Sequence, residues 1–272
     1  MRTREDLNRI LKQIDGRGFK AYKRIEGEYD FRTFLLLVDH VQGDPYAAPS
    51  RVRVRVHQRQ ACLPPPLFSH SVRRTALEDY LTRVFHQAAR RIAKGRRGIG
   101  KSGLITIDCG GQEVLERTSM FVSKEWVEAR FVVGLPARGR TILAREAIEM
   151  LLREVPEIVQ TALFFSHLNE GEVKRHVETV EDQEFIRATL QERGLVAFVA
   201  DGSILPRRSG IDDRPLKEVP VPFASPGSLR VSLSTPNRGK VSGMGIPEGV
   251  TLIVGGGFHG KSTLLNALKR GV

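Results

Sequence analysis

The sequence predicts an α/β protein: an α+β N-terminal region, then the beginning of a phosphate-loop domain. Three observations predict it. Apolar residues recur at helical spacing in some segments and at period two in others. The positive charge is confined to the first third of the chain. A glycine-rich loop, flanked by an apolar run and a helical pattern, lies at the C-terminal end. The chain has 272 residues, 40% of them hydrophobic and 27% charged, which supports a packed core and excludes wholesale disorder. No apolar run approaches the ~18 residues that span a bilayer. The charged start MRTREDLNRI is unlike a secretory signal. Two cysteines, Cys62 and Cys109, build neither a disulfide framework nor a four-ligand zinc site. A reducing cytoplasm is the expected setting.

The elements follow in order. Asp6–Ile14 places Leu7, Ile10, Leu11 and Ile14 on one helical face. Tyr29–Val38 reads as a strand. In Arg51-Val-Arg-Val-Arg-Val56 the alternation puts Arg51, Arg53 and Arg55 on one face of a strand and the valines on the other. Pro64-Pro-Pro66 separates it from a helix at 71–94. Leu104–Asp108, Thr118–Ser123 and Glu128–Gly134 read as strands, the last two as a pair. Helices are expected at 141–153 and 156–167. Ser166–Gly171 forms a seam, giving domains at 1–167 and 168–272. Beyond it come a charged helix at 172–193 and strands at 195–200, 228–234 and 250–254, punctuated by prolines.

Residues 1–101 carry 22 Lys/Arg against 10 Asp/Glu, and the remaining 171 residues are balanced. Between Asp79 and Asp108 there is no acid, while Arg90, Arg91, Lys94, Arg96, Arg97 and Lys101 fall in that window. Such a block attracts polyanions. With the guanidinium row of Arg51, Arg53 and Arg55, it is a candidate surface for RNA or single-stranded nucleic acid. The competing reading is a solvated basic face. A single binding surface requires the arginine row and the block to share one side of the molecule.

The most specific motif is Gly255-Gly256-Gly257-Phe258-His259-Gly260-Lys261-Ser262-Thr263, which fits G-x-x-x-x-G-K-[ST]. Chance matches are expected on the order of 0.01 per chain of this length. Glycines let successive N–H groups turn toward an anion, and a following helix N-terminus adds its dipole. Lys261 would reach the β/γ-phosphates of ATP, Ser262 would ligate Mg²⁺ through its hydroxyl, and Thr263 would lie beside the α/β-phosphates. The preceding Thr251–Val254 reads as the strand and Leu264–Arg270 as the helix that this mechanism needs. Gly95–Ser102 also fits the pattern, but a helix precedes it and a strand follows. It is therefore no triphosphate cradle, though a basic glycine loop can nest a polynucleotide phosphate.

Hydrolysis needs a strand-end carboxylate and a water-orienting residue downstream of the loop, and the chain stops nine residues after Thr263. Asp108 reads as a cap of the Gly110-Gly111 turn and not as that carboxylate, so no catalytic residue is assigned. The seven histidines lack metal-ligand spacing, and the cysteines lack the neighbours of a nucleophile.

Seven segments together resemble the ATPases of the ABC class, a stand-alone family distinct from the transporters. They are IDGRGFKAYKRIEGEYDF at 14–31, DHVQGDPYAAPSRVRVRV at 39–56, RTALEDYLTRVF at 74–85, GKSGLITIDCGGQEVLERTSM at 100–120, VGLPARGRTILAREAIEML at 133–151, LVAFVADGSILPRRSG at 195–210 and GMGIPEGVTLIVGGGFHGKSTLLNALKRGV at 243–272. The resemblance implies an α+β N-terminal domain before an ABC-type nucleotide-binding domain. Intact members are about twice this length, with Walker B strand and signature segment beyond Val272. The chain is thus expected to be the N-terminal half, an ATP-binding fragment with little or no hydrolysis by itself, and dimerisation belongs to the intact protein. A kinetoplastid relative is associated with mitochondrial RNA editing, in keeping with the basic block. One departure stands out. ABC-type domains stack adenine on an aromatic some two dozen residues before the loop, but no Phe, Tyr or Trp occurs from Ala224 to Gly257; Phe223 is the nearest upstream.

Overall fold

A computed structural model describes residues 1–209, 212–216, 220–257 and 259–271. The chain folds as two compact units. The first comprises Met1–Cys109 and Leu115–Lys174, the second Gly110–Val114 and Arg175–Val272.

The first unit is built on a seven-stranded sheet. Its strands are β1 (Arg2–Thr3), β2 (Gly27–Asp30), β3 (Leu35–His40), β4 (Ser50–His57), β5 (Ile105–Thr106), β6 (Met120–Val122) and β7 (Trp126–Val133). The order is β1-β2-β3-β4-β7-β5, with β6 also on β7. Only β1–β2 is parallel among these pairs. The Arg/Val alternation does what its period dictates: Val52, Val54 and Val56 are buried, and Val54 sits opposite Ala129. The expected strand at 29–38 is instead a hairpin of β2 and β3. Arg32 turns the chain in the left-handed region (φ 67°), and the Asp30 carboxylate accepts its N–H at 2.6 Å. The 104–108 strand shrinks to two residues.

Helix α1 (Arg4–Gln13) begins with a capping box: Thr3 Oγ1 accepts the Asp6 N–H, and the Asp6 carboxylate accepts the Thr3 N–H. A short α2 (Gln58–Ala61) follows β4. Then α3 (Ser71–Ile92) lies on the valine face of the sheet, its Phe85 ring 5.1 Å from that of Phe131, the partner of Val52. The small hairpin β8–β9 (Ala137–Arg138, Thr141–Ile142) comes next. The two helices expected at 141–153 and 156–167 form one run, with α4 (Ala144–Glu149), a π-turn at Met150–Glu154 and α5 (Val155–Leu163). Pro156 has no N–H to offer the Leu152 carbonyl four residues back. Arg4 Nη2 donates to that carbonyl at 2.8 Å, and the run continues.

In the second unit, the part of α6 (Glu170–Thr189) from Arg175 onward supplies acidic groups that anchor a hairpin turn. Asp182 accepts the Asn237 and Arg238 N–H groups at 2.9 and 3.0 Å. The hairpin is β13 (Arg230–Thr235) and β14 (Gly239–Pro247), and β10 (Leu195–Ala200) pairs with the other edge of β14. A two-stranded ribbon, β11–β12 (Arg207–Ser209, Asp212–Pro215), lies between β10 and β13 in the chain. The last helix, α7 (Lys261–Lys269), packs Leu264 and Leu268 against Val199, Met244 and Ile246 of the three-stranded sheet. The strand expected at 250–254 is not formed. Val250, Leu252 and Val254 are exposed, and no described strand pairs with them. An apolar run alone does not make a strand; its backbone groups need a neighbouring ladder.

Candidate functional site

The loop 255–263 is exposed at nearly every described position and runs into α7. Gly260 is the N-cap, in the left-handed region at φ 79°, and donates no side chain to the helix end. The first-turn N–H groups of α7 therefore keep their outward, electropositive orientation. Lys261 Nζ donates to Gly255 O at 2.6 Å and also to Gly256 O. The Gly256 N–H donates to His259 Nδ1 at 3.1 Å. A Cβ on Gly256 would come within 3.1 Å of the His259 ring, and one on Gly255 within 3.5 Å of His259 Cβ. The loop thus holds one ammonium turned onto two backbone carbonyls and one imidazole that accepts a backbone N–H. No carboxylate bonds to any of them among the described residues. Such a donor set fits a polyphosphate and repels a cation unless phosphate oxygens accompany it. Phe258 lies outside the described residues.

Ser262 is exposed on the first turn of α7, where its hydroxyl is accessible. Thr263 faces a cavity of about 1110 Å³ in the second unit, together with Ile186, Phe198 and Asn266. Phe198 is an aromatic that a search of the two dozen residues before the loop does not reach. Phe223 instead packs on the Val199–Met244–Ile246 cluster.

The basic residues are not gathered into one surface. Arg53 holds Asp39 through two hydrogen bonds, at 2.6 and 2.7 Å, and Glu128 at 3.3 Å. The bonds to Asp39 push its pKa further up. Arg55 also pairs with Glu128 and lies over the Trp126 ring at 5.4 Å. Burial alone would raise the Glu128 pKa, but Arg55 and Arg130 hold it below the usual carboxylate range. Only Arg51 of the row is exposed with no ion pair among the described residues. Arg97 corrects the sequence reading outright: it is 5% exposed and clamped between Glu146 and Glu154. Lys94 reaches Glu146 at 3.4 Å. Arg90, Arg91, Arg96 and Lys101 are exposed. Arg90 and Arg91 end α3, which covers the valine face, so the arginine row and this helix lie on opposite sides of the sheet. Cross-strand register put Asp39 and Glu128 beside the arginines, and local sequence does not show such pairings.

Residues 4–166 match the family model for the N-terminal region of ATPases of the ABC class, and residues 169–272 match an ABC-ATPase P-loop domain. A search of curated proteins finds no match. No helix among the described residues is long and apolar enough to cross a membrane.

Proposed function

The chain belongs to the ATPases of the ABC class, and from that premise we propose that residues 255–263 are its Walker A loop and hold the phosphates of Mg-ATP. The observation that carries the assignment is that the G-x-x-x-x-G-K-S-T sequence runs directly into α7, with Gly260 as its left-handed N-cap and Lys261 as its first residue. Gly255, Gly256, Gly257, His259 and Gly260 form the loop, and Phe258 completes it in sequence. Lys261 neutralises phosphate charge, with its ammonium passing from loop carbonyls to phosphate oxygens. Ser262 is the residue that would hold Mg²⁺; when bound, the ion screens the phosphates and polarises the bond to be broken. Thr263 and Phe198 border one cavity, so Phe198 is the aromatic on offer to the base.

The domain division is taken as 1–167 and 168–272, with the nucleotide loop in the second part. The hydrolytic carboxylate is assigned to no residue of this chain. A polynucleotide role would rest on Arg51, Arg90, Arg91, Arg96 and Lys101, because Arg53, Arg55 and Arg97 are engaged internally.

The test is equilibrium binding of Mg-ATP to the 272-residue chain and to Lys261→Ala. Losing a charged donor to phosphate should weaken binding by roughly 10–100-fold. Equal affinity of the two proteins would remove the assignment.

A further inference from the structure

The tip of the β13–β14 hairpin is tied down by groups from α6. Its turn is Pro236-Asn237-Arg238, closed by the pair Thr235 and Gly239, with Gly239 in the left-handed region at φ 69°. Asp182 accepts the Asn237 and Arg238 N–H groups at 2.9 and 3.0 Å, and the Asn237 side-chain amide donates to it at 3.0 Å. The same amide donates to Glu181 at 2.7 Å. Asp182 is 4% exposed, and a carboxylate so far out of water is costly unless donors like these meet it. The clamp acts on the backbone of Arg238 and leaves its guanidinium unspent. No group among the described residues accepts from that guanidinium. The exposed Arg238 side chain lines the cavity that Thr263 and Phe198 border. Two further arginines of its wall are engaged. Arg187 donates to Gly271 O at 2.9 Å and pairs with Glu184, and Arg207 donates to Ile204 O at 2.8 Å.

We propose that Arg238 is a ligand of the nucleotide's α-phosphate and that Asp182 positions it. This assignment rests on the nucleotide-loop reading above and adds a binding residue to it. Thr263 is where the loop meets the cavity, and in that reading it stands beside the α/β-phosphates. A nucleotide with its base on Phe198 therefore carries its α-phosphate, the one next to the ribose, along the wall that holds Arg238. A cavity of about 1110 Å³ is of the size that takes one small ligand against several walls at once. A guanidinium suits the task. It presents a planar fork of donors to two phosphate oxygens, keeps its charge at any working pH and is weakly hydrated. Lys261 and Arg238 then approach the phosphates from different elements, the first turn of α7 and the hairpin tip. Because the tip is clamped to α6 beforehand, less freedom is lost when the ligand arrives.

The experiment is calorimetric titration of the full 272-residue chain with Mg-ATP and with Mg-ADP, for wild type, Arg238→Ala and Arg238→Lys. A hydrogen bond to a charged group corresponds to upward of about 10-fold in an equilibrium constant. Arg238→Ala is expected to bind both nucleotides roughly 10-fold more weakly, and by the same factor within about twofold, since both carry the α-phosphate. Arg238→Lys keeps the charge and loses the fork, so its affinity should fall between the two. Raising salt from about 50 to 300 mM should weaken wild type more than Arg238→Ala. A loss below about threefold in Arg238→Ala, with wild type binding, overturns the α-phosphate role and leaves the loop assignment standing. A loss seen with Mg-ATP only, or an unchanged salt dependence, overturns it equally. Absence of binding by wild type overturns the loop assignment and this role with it. Asp182→Asn should weaken Mg-ATP binding in the wild-type background and change it by less than about twofold in Arg238→Ala. Equal losses in the two backgrounds would strike out the positioning role. Substitution at 238 retains the N–H that Asp182 holds, and circular dichroism checks that each variant is folded. Should the alanine variant lose structure, Arg238→Gln takes its place under the same criteria.

Discussion

Gly95–Ser102 and Gly255–Ser262 carry the same glycine spacing and the same terminal Lys-Ser, yet they spend their backbone donors differently. In the first, the Arg97, Ile99 and Lys101 N–H groups donate to Ser102 O, Ala137 O and Pro45 O at 3.0, 3.1 and 2.8 Å. Its Arg97 is buried between two glutamates. A Cβ on Gly98 would stand 2.1 Å from Ala137 O, and one on Gly100 2.3 Å from Pro45 O. Glycine is needed there because other backbone segments press against it. In the second loop, Gly257 and Gly260 have nothing within 4 Å of a would-be Cβ. At these two positions the glycines leave space open, and a helix follows in place of a strand. The lesson is that spacing alone selects a loop that can turn tightly. Whether it binds phosphate depends on whether its amides are already consumed by protein carbonyls.

The largest effect that would break this comparison comes from the glycines that precede the two lysines. Gly100 and Gly260 both have positive φ, 58° and 79°. Alanine at either position pays the left-handed penalty of about 1–2 kcal/mol. Alanine at Gly100 must also displace the Pro45 carbonyl. Gly100→Ala is expected to cost more than about 3 kcal/mol in urea denaturation followed by Trp126, the one tryptophan, and Gly260→Ala no more than about 1–2 kcal/mol. Equal midpoints for the two variants would refute the contrast between a packed loop and an open one.

A buried carboxyl outside both loops gives the next largest effect. Glu78 on α3 is buried and accepts the Val122 N–H at 2.8 Å. Burial pushes its pKa up from 4.5 to about 7, against the opposing pull of that N–H and of Arg74. The folded chain therefore retains a proton that the unfolded chain gives up above 4.5. The stability due to Glu78 is complete below that value and is lost as pH rises through about 7. Glu78→Gln keeps the acceptor and abolishes the titration. Wild type and variant should unfold alike near pH 5, and near pH 8 the variant should be more stable by on the order of 1–3 kcal/mol. A difference that does not change with pH would show that the carboxyl is not held in its acid form.

Much of this was legible locally. The Arg/Val alternation specified β4 and its buried valines, the helical spacing specified α3, and the glycine loop with its following apolar spacing specified α7. What was not legible depends on distant partners. The Leu152 carbonyl freed by Pro156 is capped by Arg4, 148 residues away, so a helix that local rules would end continues. Strand β14 contains Gly243 and Gly245, and glycine within a strand weakens its local pattern. They are required because a Cβ on Gly243 would stand 2.3 Å from Val199 O, and one on Gly245 3.0 Å from Leu195 and Val231 side-chain atoms. Thr251–Val254 failed in the opposite direction, since its apolar pattern finds no ladder. The neutralising partners of Arg53 and Arg55 come from β3 and β7, and only register brings them together.

The smallest expected effect is the sharpest check on the two Lys-Ser pairs. Lys101 is exposed, and its structural contribution is its backbone N–H to Pro45 O, which alanine retains. Lys101→Ala should change unfolding free energy by less than about 0.5 kcal/mol. Its Mg-ATP affinity should match wild type, in contrast to the loss expected for Lys261→Ala. Equal loss of nucleotide binding in both variants would mean that the packed loop at 95–102 also serves the phosphates. The argument from consumed amides would then be wrong at its root, because Lys101 could reach an anion only if the carbonyls of Pro45 and Ala137 released the N–H groups they now hold.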